Sequence, residues 1–360
     1  MSKSPTRSRG SNTAKKAAAG KASAATARKD ATNPASSGDR ETNLELLRSM
    51  LLQRRFEERC AEAYALGKIG GFCHLYNGQE AVATGTLAVL RPDDYVITTY
   101  RDHGQALARG MSPRGIMAEL FGRKDGVAAG KGGSMHLFDR ELNFLGGHGI
   151  VGGHVPLATG VGFAIKYRGG DQVCVCFMGE SVVNTGAFHE ALNMASLWKL
   201  PVVYIIENNR YGMGTALERA SSIHDIYERG ASYDMPRDKV DGQDVFKVRE
   251  AVGEAVERAR SDQIPTLLEV RTYRFMGHSM SDAVSGTYRT KAELEEYMKR
   301  DPISVLRAHM EGAGQLTDDD VKKMDEEIKA IVQDAWDFAD ANPEPPLEAL
   351  YEDVYVDTTS

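Results

Sequence analysis

The sequence predicts an α/β fold, a doubly wound, mainly parallel sheet with helices on both faces. Three observations carry this. Short apolar runs at 173–177 and 202–206 lack polar alternation, as strands buried on both faces do. Longer stretches of helical periodicity, 156–167, 184–198 and 244–260, lie between and after them, and a further strand pattern follows at 266–273. Strand, helix and strand at this spacing are parallel crossovers.

The elements follow in chain order. Residues 1–41 read as a disordered basic tail, because the first 29 hold eight Lys/Arg, no acid and no Leu, Ile, Val or Phe to bury. Thr42 and Glu45 have capping-box spacing ahead of Leu46, Leu47, Met50, Leu51 and Phe56, which predicts a long amphipathic helix to about Gly67. From there to Gly153 glycine and histidine are frequent, and a loop-dominated rim is expected, with short helices near 79–90 and 113–122. The regular strand and helix pattern then runs to Tyr273. A polar Ser/Gly/His segment, 275–290, is too long for a simple turn, and such loops are usually functional or mobile. A charged helical extension, 291–341, ends at Asn342-Pro-Glu-Pro-Pro346. One folded domain over 42–350 is expected, with a short tail at 351–360.

Composition excludes several classes. With 360 residues, 42% hydrophobic and 26% charged, the chain can bury a large core. No apolar run reaches the ~18 residues of a membrane helix. Cys60, Cys73, Cys174 and Cys176 are too dispersed for a disulfide framework or a paired zinc pattern, so free thiols in a reducing compartment are expected. The tail lacks the apolar face of a transit peptide and the apolar core of a secretory signal, which favours the cytoplasm over the mitochondrial matrix. The net charge is −7, and the body is more acidic than that because the tail is basic. A solvated tail without a nucleic-acid partner is the expected case.

Two motifs compete for the chemistry. Gly147-x-Gly149-x-x-Gly152, with Asp171 about twenty residues on, matches the dinucleotide fingerprint. That fingerprint needs a buried strand just before it, and none is expected over 138–143, so a nicotinamide enzyme is set aside. The second motif is Gly179-Glu180-Ser181 at the end of a buried strand, answered 29 residues later by Asn208-Asn209-Arg210-Tyr211-Gly212 at the end of the next. Ligands of open α/β sheets bind at that edge, where helix N-termini offer free amides to phosphate. Glu180, the Asn209 amide and a backbone carbonyl offer hard oxygen ligands that suit Mg²⁺ beside a diphosphate. Taken singly, each residue is more easily a helix cap or a turn.

Together they resemble the thiamine-diphosphate motif, Gly-Asp-Gly followed some thirty residues on by Asn-Asn. Over about residues 44 to 350 the chain resembles the α subunits of the thiamine-diphosphate-dependent 2-oxo acid dehydrogenases. The resemblance includes Gly71-Phe-Cys-His-Leu75, Gly78-Gln-Glu-Ala81, Thr99-Tyr-Arg101, Gly130-Lys-Gly-Gly-Ser-Met-His136, Gly149-Ile-Val151, Leu197-Trp-Lys-Leu-Pro201, Glu207 to Thr215, and Gly277-His-Ser-Met-Ser-Asp282. One departure is Glu180-Ser181 where the family usually has Asp-Gly.

The resemblance implies that Glu180, Asn209 and the Tyr211 carbonyl hold Mg²⁺. It implies that Tyr100 and Arg101 bind the diphosphate, with Ser181 and Val182 beside it, and that the backbone of Gly149 and Val151 meets the aminopyrimidine. His74 and His278 would be catalytic, His278 also touching the cofactor; His103, His136 and His148 are weaker candidates. The implied reaction is oxidative decarboxylation of pyruvate, with the acetyl group passed to the lipoyl domain of dihydrolipoyl acetyltransferase. Acetoin or branched-chain 2-oxo acids are alternative substrates, and a non-catalytic scaffold is the alternative of another class. A glutamate that the family uses on a second domain is absent, so a β subunit in an α₂β₂ heterotetramer is implied. Ser279, Ser281, Ser285 and Thr287 lie in a loop phosphorylated in mitochondrial relatives and are expected here to be ordinary loop residues.

Overall fold

A computed structural model describes residues 39–355. The expected tail therefore lies outside the described residues except for 39–41, and so does 356–360. The chain enters helix α1 (Arg40–Ala65) earlier than the capping-box spacing implies. Its cap is Asp39, whose side chain accepts from the Thr42 amide at 2.8 Å. The Asp39 side chain thus takes the place assigned to Thr42, which lies within the first turn.

Six strands form one parallel sheet: β1 (Tyr95–Thr99), β2 (Phe144–His148), β3 (Cys174–Gly179), β4 (Val202–Asn208), β7 (Arg237–Asp241) and β8 (Thr266–Arg271). Their order is β2-β1-β3-β4-β8-β7. A separate hairpin pairs β5 (Tyr211–Gly212) with β6 (Thr215–Ala216). The expected doubly wound sheet is therefore present. The chain runs one way from β1 to β2 and the other way from β3 to β4, which leaves a crevice outside the carboxyl ends of β1 and β3.

Alternation within the central strands builds two cores. Val175 and Phe177 of β3, with Val203 and Ile205 of β4, face one; Cys174, Cys176, Met178, Val202, Tyr204 and Ile206 face the other. The first core is covered by α1, α2 (Glu80–Leu87), α3 (His103–Arg109), α4 (Pro113–Leu120) and α8 (Val245–Asp262), joined by α10 (Pro302–Gly312) and α11 (Asp318–Ala341). The second is covered by α5 (His154–Arg168) and α6 (Gly186–Trp198). Both faces being buried is why neither strand reads as alternating. The charged region after the polar segment resolves into α9 (Lys291–Met298), α10 and α11. All four cysteines are buried free thiols, and among the described residues no helix is long and apolar enough to cross a membrane.

Three strands lie where the sequence suggested loops. β1 and β2 sit in the glycine-rich stretch, and β7 is an edge strand whose first three residues are exposed. The glycine-rich stretch also has a fixed centre. Glu119, fully buried on α4, accepts from the amides of Ala128 and Gly130 at 2.8 Å, Gly132 at 2.7 Å and Gly133 at 3.0 Å. One carboxylate thereby satisfies four backbone donors of a segment without regular structure.

The dinucleotide fingerprint is corrected in its reason. A strand, β2, does lead into it, but Gly147 lies inside that strand. A Cβ at Gly147 would come within 2.0 Å of Asp102 Oδ2. Asp171 precedes the amino end of β3, away from the ligand edge, and pairs with Arg91 at 2.8 Å on the surface.

Candidate functional site

Four adjacent strands end at one cavity of about 270 Å³. The end of β1 brings Thr99 and the segment after it Tyr100 and Arg101; that after β3 brings Glu180, Ser181 and Val182; that after β4 brings Asn209, Tyr211 and Met213; and that after β8 brings Arg274 and His278. Of the residues singled out in the sequence, all of these but Thr99, Met213 and Arg274 were expected, and Val151 joins them. His74 stands behind the lining, its ring 4.5 Å from that of Tyr100 and 5.0 Å from that of His278. Gly149 lies outside the lining, against His136, where a Cβ would come within 3.2 Å of the imidazole.

The turn after β4 is tight enough to hold Arg210 at φ +77°. This left-handed residue reverses the chain between Asn209 and Tyr211, and Asn208 supports it by accepting from the Arg210 amide at 3.1 Å. The Asn209 side-chain amide donates to Gln79 Oε1 at 3.0 Å, while Asn209 Oδ1 and the Tyr211 carbonyl both accept from Arg274, at 3.4 and 3.3 Å, and both residues line the cavity. Glu180 is 3% exposed, and burial pushes its carboxyl above the usual range, against the pull of nearby backbone N–H groups and Arg274. Ser181 does not crowd the turn. Its hydroxyl lies 1.9 Å from where a Cβ on Gly212 would be, so the missing side chain at 212 makes its room.

Cations without ion pairs dominate the electrostatics. Arg101 donates to the carbonyls of Leu75 at 2.6 Å and His278 at 2.8 Å, and Arg274 donates only to neutral oxygens. Neither makes a salt bridge among the described residues, although both are nearly fully buried. Burial, reinforced by Arg274, pulls Arg101 down to about 10. The Glu180 and Glu207 carboxyls nearby offset part of this charge without touching it, and buried cations with no carboxylate in contact are costly and mark a place for an anion. Burial and the neighbouring Arg101 hold His74 down at about 2, and burial with Arg101 and Arg274 holds His278 down at about 4. Both imidazoles are therefore neutral at pH 7, and the Nδ1 atoms of both have no hydrogen-bond partner.

The weaker histidine candidates are largely occupied. His103 is held between Glu57 Oε2 at 2.9 Å and the Ser134 hydroxyl at 2.9 Å, and His136 Nδ1 meets the Gly147 carbonyl at 2.9 Å. His148 lines the cavity and bonds the Leu145 carbonyl at 3.2 Å. Glu57, Cys60 and His103 bring ligand-type atoms within 4.8 Å of one another, but both His103 nitrogens are already bonded. That group packs α1 against α3.

Three cavity residues were assigned no role in the sequence reading, although Gln79 and Glu207 stand in its motifs. Gln79 presents an unpartnered Nε2; Glu207, pushed up to about 7 by burial, accepts from the Tyr76 hydroxyl and from Gln105 at 3.0 Å; Arg274 spans two segments. A charged residue directly after a buried strand was the one available signal for Arg274.

Comparison with known proteins gives the family. The family described as "Dehydrogenase E1 component" matches residues 48–348. Among curated relatives, "Pyruvate dehydrogenase E1 component subunit alpha" of Rhizobium meliloti (strain 1021) is 51% identical over 316 residues, covering 88% of this chain and 90% of the relative. The protein of that name from Zymomonas mobilis subsp. mobilis is 48% identical over 320 residues, covering 88% and 90%. That from Rickettsia bellii (strain RML369-C) is 45% identical over 317 residues, covering 88% and 97%. With a family match across most of its length and relatives this close, the chain belongs to the dehydrogenase E1 component family.

Proposed function

We propose that this chain is the α subunit of a pyruvate dehydrogenase first component. It would bind thiamine diphosphate and Mg²⁺, decarboxylate pyruvate, and pass the acetyl group to the lipoyl domain of dihydrolipoyl acetyltransferase. The observation that carries the reading is the convergence of Arg101, Glu180, Asn209 and His278 at the carboxyl ends of four neighbouring strands. The residues fit the group. Residues that offer a buried carboxylate, an amide oxygen and a backbone carbonyl line one cavity, two buried guanidinium groups lack carboxylate partners, and buried ring and amide nitrogens stand unpartnered.

In this reading Glu180, Asn209 Oδ1 and the Tyr211 carbonyl hold Mg²⁺, for which an all-oxygen set is suited. Tyr100 and Arg101 hold the diphosphate, with the Ser181 and Val182 backbone beside it, and the backbone at Val151 bounds the pyrimidine side, with Gly149 behind the wall. The cofactor supplies the electron sink for decarboxylation, and the chain supplies orientation and electrostatics. His278, with an open Nδ1, stabilises the substrate carboxylate or moves a proton to the departing lipoyl sulfur. His74 packs against both His278 and Tyr100 and fixes their rings. A β subunit completes the site in an α₂β₂ heterotetramer, in the cytoplasm.

Coexpression with a candidate β subunit, followed by 2-oxo acid decarboxylation with an artificial electron acceptor, tests this. Turnover that needs thiamine diphosphate and Mg²⁺ and is fastest on pyruvate is the expected result. A folded complex without turnover would leave the scaffold reading in its place.

The histidines give a pH prediction. Each has a folded pKa below the value of 6.5 that it has unfolded, so the unfolded chain binds more protons as pH falls below 6.5. The cofactor-free protein should therefore lose stability through that window, and His278→Gln should lose less. Thermal midpoints at pH 7 and pH 4.5 for both proteins check this; an equal drop would show that His278 is not held neutral.

A further inference from the structure

Among the described residues Arg274 is the largest fully buried side chain, and no carboxylate meets it at salt-bridge distance. Its guanidinium instead has two sides. One reaches the turn after β4, where Nη1 donates to Asn209 Oδ1 at 3.4 Å and the Tyr211 carbonyl at 3.3 Å, and Nη2 to the Met213 carbonyl at 3.2 Å. The other reaches its own downstream segment, with Nε donating to the Met276 carbonyl at 3.2 Å and Nη2 to the Tyr288 hydroxyl at 2.9 Å. The Arg274 carbonyl in turn accepts from Arg289, which also holds the carbonyls of Phe275, Met276 and Val284. His278 lies inside the segment so closed.

We infer that Arg274 is a positioning residue that ties the turn offering Asn209 and Tyr211 to the segment carrying His278, so that the two halves of the site hold one geometry. The physical argument is one of shape. A planar fork with five donors bridges two sets of oxygens at once, whereas an ammonium on a flexible stem serves only one. Each hydrogen bond is individually weak. Together they are the only side-chain hydrogen bonds that bridge the turn and the segment among the described residues, beside a ring contact between Tyr211 and Tyr288 at 5.3 Å that Tyr288→Phe keeps. The tie exists independently of what the site binds; its service to metal and cofactor rests on the proposed function.

Arg274→Lys keeps the charge and removes the fork, and Tyr288→Phe removes one acceptor on the segment side only. Amide hydrogen exchange of the full chain in metal-free buffer reads the outcome. For Arg274→Lys, exchange should rise about tenfold or more in peptides covering both 209–215 and 276–288, with the strands 174–179 and 202–206 unchanged. Tyr288→Phe should raise exchange in 276–288 alone. Adding MgCl₂ should slow both peptides in the wild type and only 209–215 in Arg274→Lys. A lysine variant that leaves either peptide at the wild-type rate overturns the tie. If that variant loosens the strands as well, Tyr288→Phe decides, and an unchanged 276–288 rate there overturns it. A wild type that ignores MgCl₂ counts against the proposed metal site and not against the tie, which the metal-free comparison reads alone.

Discussion

Exchanging Glu180 for glutamine is expected to abolish turnover dependent on Mg²⁺ and thiamine diphosphate while leaving the cofactor-free protein as stable as before, or more so. The two effects have one cause. Burial raises the Glu180 carboxyl, so the charged form is held in the folded state at a cost that a neutral amide of the same shape does not carry. The sign follows from linkage: a carboxyl whose folded pKa is raised takes stability away as pH rises from about 4.5 through the folded value. The same charge is what a divalent cation requires. Its loss should weaken Mg²⁺ retention by more than the roughly 10–100-fold that altered supporting residues cost. Calorimetric Mg²⁺ titration, turnover of the α–β complex and thermal midpoints of the cofactor-free proteins are the three measurements. Turnover within about tenfold of wild type, about 1.4 kcal/mol of barrier, would remove Glu180 from the metal site.

The largest stability effect belongs to a residue outside the cavity. Glu119→Ala leaves four backbone donors between 128 and 133 without their acceptor. Each unsatisfied donor costs on the order of 1 kcal/mol, so a loss of about 3 kcal/mol or more is expected even when water reaches some of them. Denaturant unfolding measures the total. Hydrogen exchange places it, since amides of 126–133 should lose protection before those of β3 and β4. A loss under about 0.5 kcal/mol, the range of ordinary surface changes, would show that the segment does not depend on the carboxylate.

What the sequence disclosed and what it concealed divide along physical lines. β3 and β4 were legible because strands buried on both faces read as unbroken apolar runs. β7, with Arg237, Asp238 and Lys239 exposed at a sheet edge, has the composition of a loop, and β2 contains two glycines that only its neighbours make strand-like. The site followed the same rule. Tyr100, Arg101, Glu180 and Asn209 stand one or two residues past a strand end and His278 seven past one, each in a motif, and the cavity gathers them. Gln79 and Glu207 stand in motifs and Arg274 directly after a strand pattern, yet none of the three shows its role locally, because that role arises from partners 65 to 131 residues away in the chain. Gly149 shows the converse: a motif residue that the fold places beside the cavity wall and not in it.

The order of strands in the sheet also has a consequence for how the protein is made. β8 lies between β4 and β7, yet it is the last of the six to leave the ribosome. Until residue 271 has emerged, β4 has an open edge and β7 has no neighbour, since β7 pairs with β8 alone. Unpaired edges of this kind invite pairing with other chains. A nascent chain halted before β8 should therefore be a chaperone client, and the cavity should first take shape only as the final quarter of the polypeptide is added.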